Sequence, residues 1–285
     1  MKLNSKIIIP IVIAILISWV GNIYIFDKYS LEKPILLNSY LGLPLAEGYN
    51  FELSYVSNIY DKDNIILVSF PEINTQSFFV TATSDNNIAD SNFRFNRIRI
   101  DMSTVFLENG KRLIDTDETE NLSLKKIQLI TNSGKKYEYD LGKMYFLKQQ
   151  SLPNNAFKNG SYMSSNSNSG SSTLTTETDI KITELVNPLK DLISEVCDVN
   201  INGTPLSSVR LPLSFKPGDL IEVKYNFKNN TGVKPQFQFS NFIIPLVLKG
   251  IDYKGNPAIM NIYINGNTQY YITAKDIKKL LKESR

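Results

Sequence analysis

An apolar segment near the start of the chain restricts what this sequence can fold into more than any other feature. It covers residues 7–26, and Asn22 is its only strongly polar residue. Because an α-helix rises 1.5 Å per residue, a helix of this length spans about 30 Å, the thickness of the hydrocarbon core of a bilayer. Lys2 and Lys6 precede the segment, and basic residues stay on the cytoplasmic side of a membrane. The sequence therefore predicts a transmembrane signal-anchor helix over 7–26, with a cytoplasmic N-terminus at 1–6 and the rest of the chain outside the cell membrane.

The alternative for this segment is a signal peptide that is removed after export. Such a peptide needs small residues at the first and third positions before the cut. Cleavage after Gly21 would place Trp19 at that third position, and cleavage after Ser18 would place Leu16 there. A lipoprotein would need a cysteine directly after the apolar segment, and the single cysteine is Cys197. A retained membrane anchor is therefore favoured, and a secreted soluble factor is the alternative.

The composition indicates a folded protein with balanced charge. Hydrophobic residues make up 42% of the sequence, and 31 basic residues against 28 acidic residues leave a net charge of +3. Nucleic-acid binding needs a basic face on which these charges are clustered, and the sequence shows no such cluster. We therefore predict no nucleic-acid partner.

Strand-like segments fill residues 34–150, the predicted first domain outside the membrane. The segment Phe93–Asp101 alternates apolar and polar side chains with one slip at Asn96, a pattern typical of a half-buried strand. A hairpin is predicted to turn at residues 132–134, where Asn, Ser and Gly tolerate positive φ. Several such segments without a long helix predict an antiparallel sandwich or barrel.

A polar segment at 158–179 separates this domain from a predicted second domain at 180–285. The segment is rich in Ser, Asn, Gly and Thr and has few apolar residues, so it is predicted to be a flexible linker. The alternative is a long loop inside a single domain.

The second predicted domain is again rich in strand-like segments. Residues 187–197 fit either a helix, with Asn187 as its N-cap, or a turn followed by a strand. A turn at residues 217–219, an alternating strand and a second turn at residues 229–232 follow. This order resembles the pattern found in immunoglobulin-like repeats of bacterial surface proteins, and the resemblance implies an immunoglobulin-like sandwich.

A short helix is predicted to close the chain. Thr273 can serve as its N-cap with Asp276 at the third helical position, and Ile277, Leu280 and Leu281 share one face. The predicted fold class is thus mainly β: one N-terminal transmembrane helix, two antiparallel β-sandwich-like domains outside the membrane, and a C-terminal helix.

The absence of histidine limits the chemistry that this chain can perform. It excludes Ser-His-Asp and Cys-His nucleophilic sites and histidine-ligated zinc. Ser-x-x-Lys spacing occurs at residues 30–33, 123–126 and 133–136, but the further motif of penicillin-recognising serine enzymes, Lys-Thr-Gly or Lys-Ser-Gly, does not follow. Cys197 is expected to be an incidental thiol rather than a nucleophile. No catalytic residue and no cofactor are predicted.

One acidic run is the candidate metal site. Asp115, Asp117 and Glu120 have the hard oxygen ligands that Ca²⁺ prefers, within a single predicted loop. The glycine and glutamate of an EF-hand loop do not stand at the required positions, and a solvated loop between strands is the favoured alternative.

These observations predict a non-enzymatic protein anchored in a membrane. Its role would be binding, envelope assembly or service as an accessory subunit, with another envelope or membrane protein as partner and an exposed edge strand as the docking surface. The alternative is an extracytoplasmic enzyme that acts on envelope polymers through paired carboxylates or a Ser/Lys pair.

Overall fold

The computed structural model describes residues 5–85, 92–116, 123–148, 156–164, 168–229, 232–267 and 273–283. The described residues include three α-helices: α1 Ser5–Tyr29, α2 Lys190–Val196 and α3 Ala274–Glu283. The predicted N-terminal helix is therefore present as α1, and the described side chains of residues 9–24 are exposed to solvent apart from Gly21. Among the residues that the structure describes, no helix is both long enough and apolar enough to span a membrane. The predicted transmembrane role of residues 7–26 is thus not supported by the fold.

Most of the remaining described chain is β-structure, as the sequence predicts. The strands of the first half are β1 Ile35–Leu36, β2 Ser39–Leu45, β3 Asn50–Asn58, β4 Ile65–Ser69, β5 Phe78–Phe79, β6 Thr81–Asp85, β7 Phe93–Asp101, β8 Ser123–Thr131 and β9 Lys136–Lys148. Those of the second half are β10 Phe157–Ser164, β11 Ser169–Thr176, β12 Ile180–Val186, β13 Cys197–Ile201, β14 Thr204–Pro205, β15 Leu213–Phe215, β16 Leu220–Phe227, β17 Asn241–Asp252 and β18 Pro257–Asn267.

The first half of the chain forms a sandwich of two sheets. One sheet has the order β1-β3-β7-β6, and the other carries β2-β9-β8-β4-β5. Alternate side chains from both sheets meet in one apolar core, in which Leu53 and Ile98 of the first sheet and Leu43, Ile127 and Phe146 of the second are fully buried. The predicted hairpin is present between β8 and β9, and Gly134 there has a φ of +82°, a value that favours glycine.

The second half forms another sandwich. Its sheets are β10-β11-β16-β13-β14 and β15-β12-β17-β18. They enclose a second core in which Val223 of β16 faces Leu246 and Leu248 of β17 and Ile264 of β18. Between β12 and β13, residues 187–189 form a turn, α2 follows, and Cys197 begins β13. The helix is therefore present, but its N-cap is Leu189 and not the predicted Asn187. The apolar side chains of Leu189, Leu192, Ile193 and Val196 are buried.

Within the segment predicted as a flexible linker, 158–179, the described residues 158–164 and 169–176 lie in strands instead. Strands β10 and β11 form an antiparallel pair at its position, and β11 continues into the second sandwich by pairing with β16 from Ser169 to Thr175. Serine and threonine supply little apolar area, but threonine is well suited to strands, and Leu174 and Thr176 are buried. The backbone ladder to β16 therefore orders a segment that its composition alone would leave disordered.

Strand β17 joins the two sandwiches into one sheet. Its residues Asn241–Ile243 pair in parallel with β2, and its residues Val247–Asp252 pair antiparallel with β12. Pro245 stands between these two ladders and has no N–H to donate, so the pairing with β2 stops before it. The prediction of purely antiparallel sheets is therefore incomplete, because β2 pairs in parallel with both β17 and β9.

A third apolar cluster ties the C-terminal helix to the first sandwich. Ile277 of α3 is fully buried there, and the predicted cap is confirmed because Thr273 N–H donates to Asp276 Oδ2 at 2.9 Å. The cluster comprises Leu31, Leu37, Val56, Phe93, Phe95, Phe239 and Ile277. The slip at Asn96 in β7 has its explanation here. Phe93 and Phe95 face α3, whereas Ile98 and Ile100 face the core on the other side of the strand.

We expect Gly42→Ala to weaken the junction between the sandwiches. A Cβ at Gly42 would overlap the ring carbons of Pro245 on the neighbouring strand, and neither backbone can retreat without breaking a ladder. The free energy of unfolding should fall by roughly 1–3 kcal/mol, the usual range for overpacking. Denaturant unfolding measures this, with Gly232→Ala as the control, because its Cβ would meet only Lys228 Cβ at 3.6 Å. An equal effect of the two substitutions would contradict the prediction.

Candidate functional site

The acidic run holds one residue whose surroundings are described. Asp115 accepts hydrogen bonds from Arg112 Nε at 2.7 Å and Arg112 Nη2 at 3.1 Å, so its carboxylate already has a cationic partner. Asp117 and Glu120 lie outside the described residues. No group of three or more metal-ligating side chains is found in the described part of the chain. The calcium site stays a prediction.

The candidate nucleophiles are placed away from catalytic partners. Burial raises the pKa of the Cys197 thiol to about 12, so the thiolate that would react is scarce at neutral pH. Lys126 Nζ bonds Glu138 Oε1 at 2.6 Å. A register shift between Leu124 and Lys126 separates Ser123 from Lys126 on β8. These described groups supply no activated nucleophile.

Ser133 takes part in a turn that is built around Asp63. The hydroxyl of Ser133 donates to Asp63 Oδ2 at 2.6 Å, and its backbone N–H donates to Asp63 Oδ1 at 3.0 Å. Lys135 Nζ lies 3.6 Å from the same carboxylate. Partial burial raises the pKa of Asp63, but the hydrogen bonds from Ser133 and Thr131 outweigh it, so the pKa is lowered overall. The carboxylate fastens the β8–β9 turn to the loop before β4, which is a structural role.

A cavity opens on one side of the second sandwich. Its volume is about 740 Å³, within the range of roughly 300–1,000 Å³ typical of small-molecule sites. It lies where the two sheets are open: β15 pairs with β12 only at Ile180–Ile182, and β14 pairs with β13 only at Asn200–Ile201. Helix α2 closes one end of this gap, and residues 206–211 close the other. Its walls are mainly apolar, formed by Leu185, Ile193, Val199, Leu206, Val209 and Leu246.

Polar side chains line the cavity at several places: Asn187 on the turn before α2, Lys190 and Ser194 on α2, Asp198 and Asn200 on β13, and Ser207. Asn187 Oδ1 accepts a hydrogen bond from Leu189 N–H at 2.7 Å. The amide nitrogen Nδ2 of Asn187 is buried and has no hydrogen-bond partner among the described atoms. Lys190 lines the cavity on the same turn, since its N–H donates to the carbonyl of Asn187 at 3.2 Å, and Asp198 on β13 is the other charged residue of the lining.

Strand β18 is a long edge strand without charged residues. It pairs with β17 at every position from Pro257 to Asn267 without a bulge, and no other described strand pairs with it. Its residues include no charged side chain. Ala258, Ile262 and Ile264 point into the core and are buried, whereas Asn261 on the opposite face is half-buried.

The other sheet edges are protected in the ways that soluble proteins commonly use. Strands β1, β5, β14 and β15 have two or three residues each, and β6 has five, the last of which is Asp85. Strand β10 carries Lys158 and a register shift between Asn159 and Tyr162. Short length, charge and bulges all discourage pairing with another chain, and β18 has none of these protections beyond Pro257 at its start.

Sequence reasoning predicts an edge strand as docking surface but does not identify β18 or the cavity. The uncharged segment from residue 257 to 267 is visible in the sequence, but its position at an edge depends on which strands pair. The cavity arises from the short lengths of β14 and β15, for which the sequence holds no comparable signal.

Comparisons with known proteins do not assign the chain to a family. No family model and no curated protein matches the chain. Among solved structures it is similar to the D00-D0 domain of Intimin, at 6% identity over 82% of this chain and 99% of that one, with a TM-score of 0.21. It is also similar to DIP-gamma IG1+IG2 (6% identity, 82% and 97% coverage, TM-score 0.24). A third is the fibronectin(III)-like modules of Clostridium thermocellum CbhA (10%, 85% and 96%, TM-score 0.19). TM-scores this low carry no argument about this chain.

We expect the Asp63 turn to make stability depend on pH in the acid range. Because the pKa of Asp63 is lower in the folded chain, its contribution is complete above the ordinary aspartate value and is lost as pH falls through the folded value. At pH 7, Asp63→Ala should lower the free energy of unfolding by about 1 kcal/mol. Denaturant titrations at several pH values should show this difference shrinking toward acid. The exposed Asp140→Ala serves as control, and a difference that is constant with pH would contradict the prediction.

Proposed function

We propose that this chain is a non-enzymatic binding protein that recruits a protein partner by strand addition to β18. The observation that carries the proposal is the run 258–264 of this edge strand, which is uncharged, has no bulge and pairs with no described strand other than β17. An unpaired strand edge presents backbone donors and acceptors that another extended segment can pair with. The partner would be another envelope or membrane protein that contributes a strand.

The support of β18 by β17 makes this edge suited to binding. The two strands pair over eleven positions, and side chains of both are buried in the second core. The edge is therefore held in extended form before a partner arrives. Pre-organisation of this kind lowers the conformational entropy that binding would otherwise lose.

The chemistry of the described residues supports binding rather than catalysis. The Cys197 thiol is buried, Lys126 is paired with Glu138, and Ser133 bonds to the structural carboxylate of Asp63. None of these candidate groups is therefore in a catalytic arrangement. The cavity between β12 and β13 has mainly apolar walls.

A photo-crosslinking residue placed at position 261 of β18 tests the recruitment of a partner in membranes of the native host. We expect one discrete cross-linked protein, which Ile259→Lys should reduce at least tenfold because a long charged side chain discourages strand pairing at an edge. The matched control is the same residue at position 83 of β6, together with Thr83→Lys, since Thr83 is exposed at an edge of the first sandwich.

Two outcomes would contradict strand addition. One is cross-linking of equal yield from positions 261 and 83. The other is a purified complex in which amide hydrogens of residues 258–264 exchange as fast as in the free chain, because strand pairing protects backbone amides.

We further propose that α1 attaches the chain to the cell membrane, with the two sandwiches outside. The side chains of Ile9, Ile13, Ile17 and Val20 are each at least 47% exposed, so the sandwiches do not cover them. A bilayer would remove this apolar surface from water at a gain of roughly 25 cal/mol per Å².

Alkaline carbonate extraction of native membranes tests this attachment. The intact chain should stay in the membrane pellet, and N-terminal sequencing should begin before residue 7. Replacing Ile13 and Ile17 together by Lys should release the chain, because a charged side chain is costly to bury in the hydrocarbon part of a bilayer. The control is Thr83→Lys. A mature chain that begins after residue 26 would contradict attachment and would identify a secreted factor.

A further inference from the structure

We infer that the cavity between β12 and β13 binds a small amphiphile, with its apolar tail against the walls and a carboxylate head at Asn187 and Lys190. This site is separate from the strand edge at β18. The inference rests on the shape and walls of the cavity, on one unsatisfied donor and on one cation.

The walls of the cavity favour an apolar tail. Ile193, Val199 and Leu246 line the cavity and are buried in the second core. Leu206, Val209 and Leu211, from the segment between β14 and β15, also line it and are partly exposed. The cavity therefore extends from the solvent to the core of the sandwich. A ligand whose tail replaces water against these side chains would gain hydrophobic free energy without a change in the fold.

The unsatisfied amide of Asn187 favours a head that accepts a hydrogen bond. Its Oδ1 holds the backbone N–H of Leu189 at 2.7 Å, which fixes the side chain so that the buried Nδ2 is left without a described partner. A buried donor without an acceptor is expensive, and native structures seldom keep one without a reason. Nδ2 is closed off from the cavity as the side chain stands, so a ligand oxygen would supply the missing acceptor after a small rotation of the Asn187 side chain.

The charge of Lys190 favours an anionic head over a neutral one. Lys190 stands on the same turn as Asn187, is exposed, and has no ion pair among the described residues. A carboxylate can accept from both an amide and an ammonium group, which form charge-assisted hydrogen bonds with it. Asp198 lines the cavity from β13, so a cationic head directed to that wall is the competing arrangement.

Titration of the full chain with a dansyl-labelled undecanoic acid tests the inference, with the corresponding fatty amine as the second probe. We expect saturable binding of the acid that is at least tenfold tighter than binding of the amine. Val209→Trp, which fills the cavity from its partly exposed wall, should weaken binding of both probes at least tenfold. Leu220→Trp is the matched control, because Leu220 is 57% exposed and does not line the cavity.

Asn187→Asp tests the head group separately from the tail. This substitution keeps the oxygen that holds Leu189 N–H and replaces the free donor with an anion, so the turn before α2 should stay intact. We expect the acid to bind at least tenfold more weakly and the amine to bind more tightly. Circular dichroism and thermal unfolding check that each variant folds.

Equal binding of the acid by the unsubstituted chain and by Val209→Trp would show that the cavity is not the site. Tighter binding of the amine than of the acid would overturn the assignment of a carboxylate head. Repeating the titration with phosphatidylglycerol vesicles in place of the monomeric acid distinguishes a membrane lipid from a free fatty acid as the source. Either source supports the inference only if Val209→Trp abolishes the signal.

Discussion

The pairing of β17 with β2 is the interaction on which the arrangement of this chain depends. Three residue pairs from Asn241 to Ile243 connect a strand of the second sandwich to the first. The ring of Phe242 lies 5.5 Å from that of Tyr40 on β2 and 5.6 Å from that of Phe227 on β16. The backbone ladder and the aromatic contacts therefore coincide, and the interruption of that ladder at Pro245 lets the same strand continue into the second sandwich. Separation of the two halves would expose this aromatic surface to water.

The C-terminal helix adds a second connection between the halves. Helix α3 follows the last strand of the second sandwich, yet Ile277 is buried against residues of the first, including Val56 and Phe95. Phe239, which precedes β17, contributes to the same cluster and has a φ of +58°, a conformation that a bulky residue adopts only when its surroundings hold it there. This backbone conformation is energetically unfavourable, and it places one more aromatic side chain over the outer face of β7.

Local features of this structure could be predicted from the sequence, and long-range features could not. The capping pair Thr273 and Asp276, the apolar face of α2 and the turn at Gly134 follow from residues within a few positions of one another. The strand pair at 158–179 could not be predicted, because its order comes from β16, some fifty residues further along the chain. For the same reason the slip at Asn96 is visible as a pattern, but its meaning depends on α3, which buries Phe93 and Phe95 from a distant part of the sequence. The cavity and the β18 edge are also consequences of pairing, so sequence alone could supply their residues but not their positions.

The cavity and the β18 edge lie on different sides of the sheet, but one cross-strand residue pair connects them. Leu246 of β17 lines the cavity, and its cross-strand partner is Ile262 of β18. A ligand that packs against Leu246 therefore contacts the residue that helps to hold the edge strand in place. Cores are close-packed, so a displacement at one member of such a pair is felt by the other. Any energetic coupling between ligand binding and strand addition would be carried by this short path, and a demonstration of it requires that both sites bias the same change in β17 and β18.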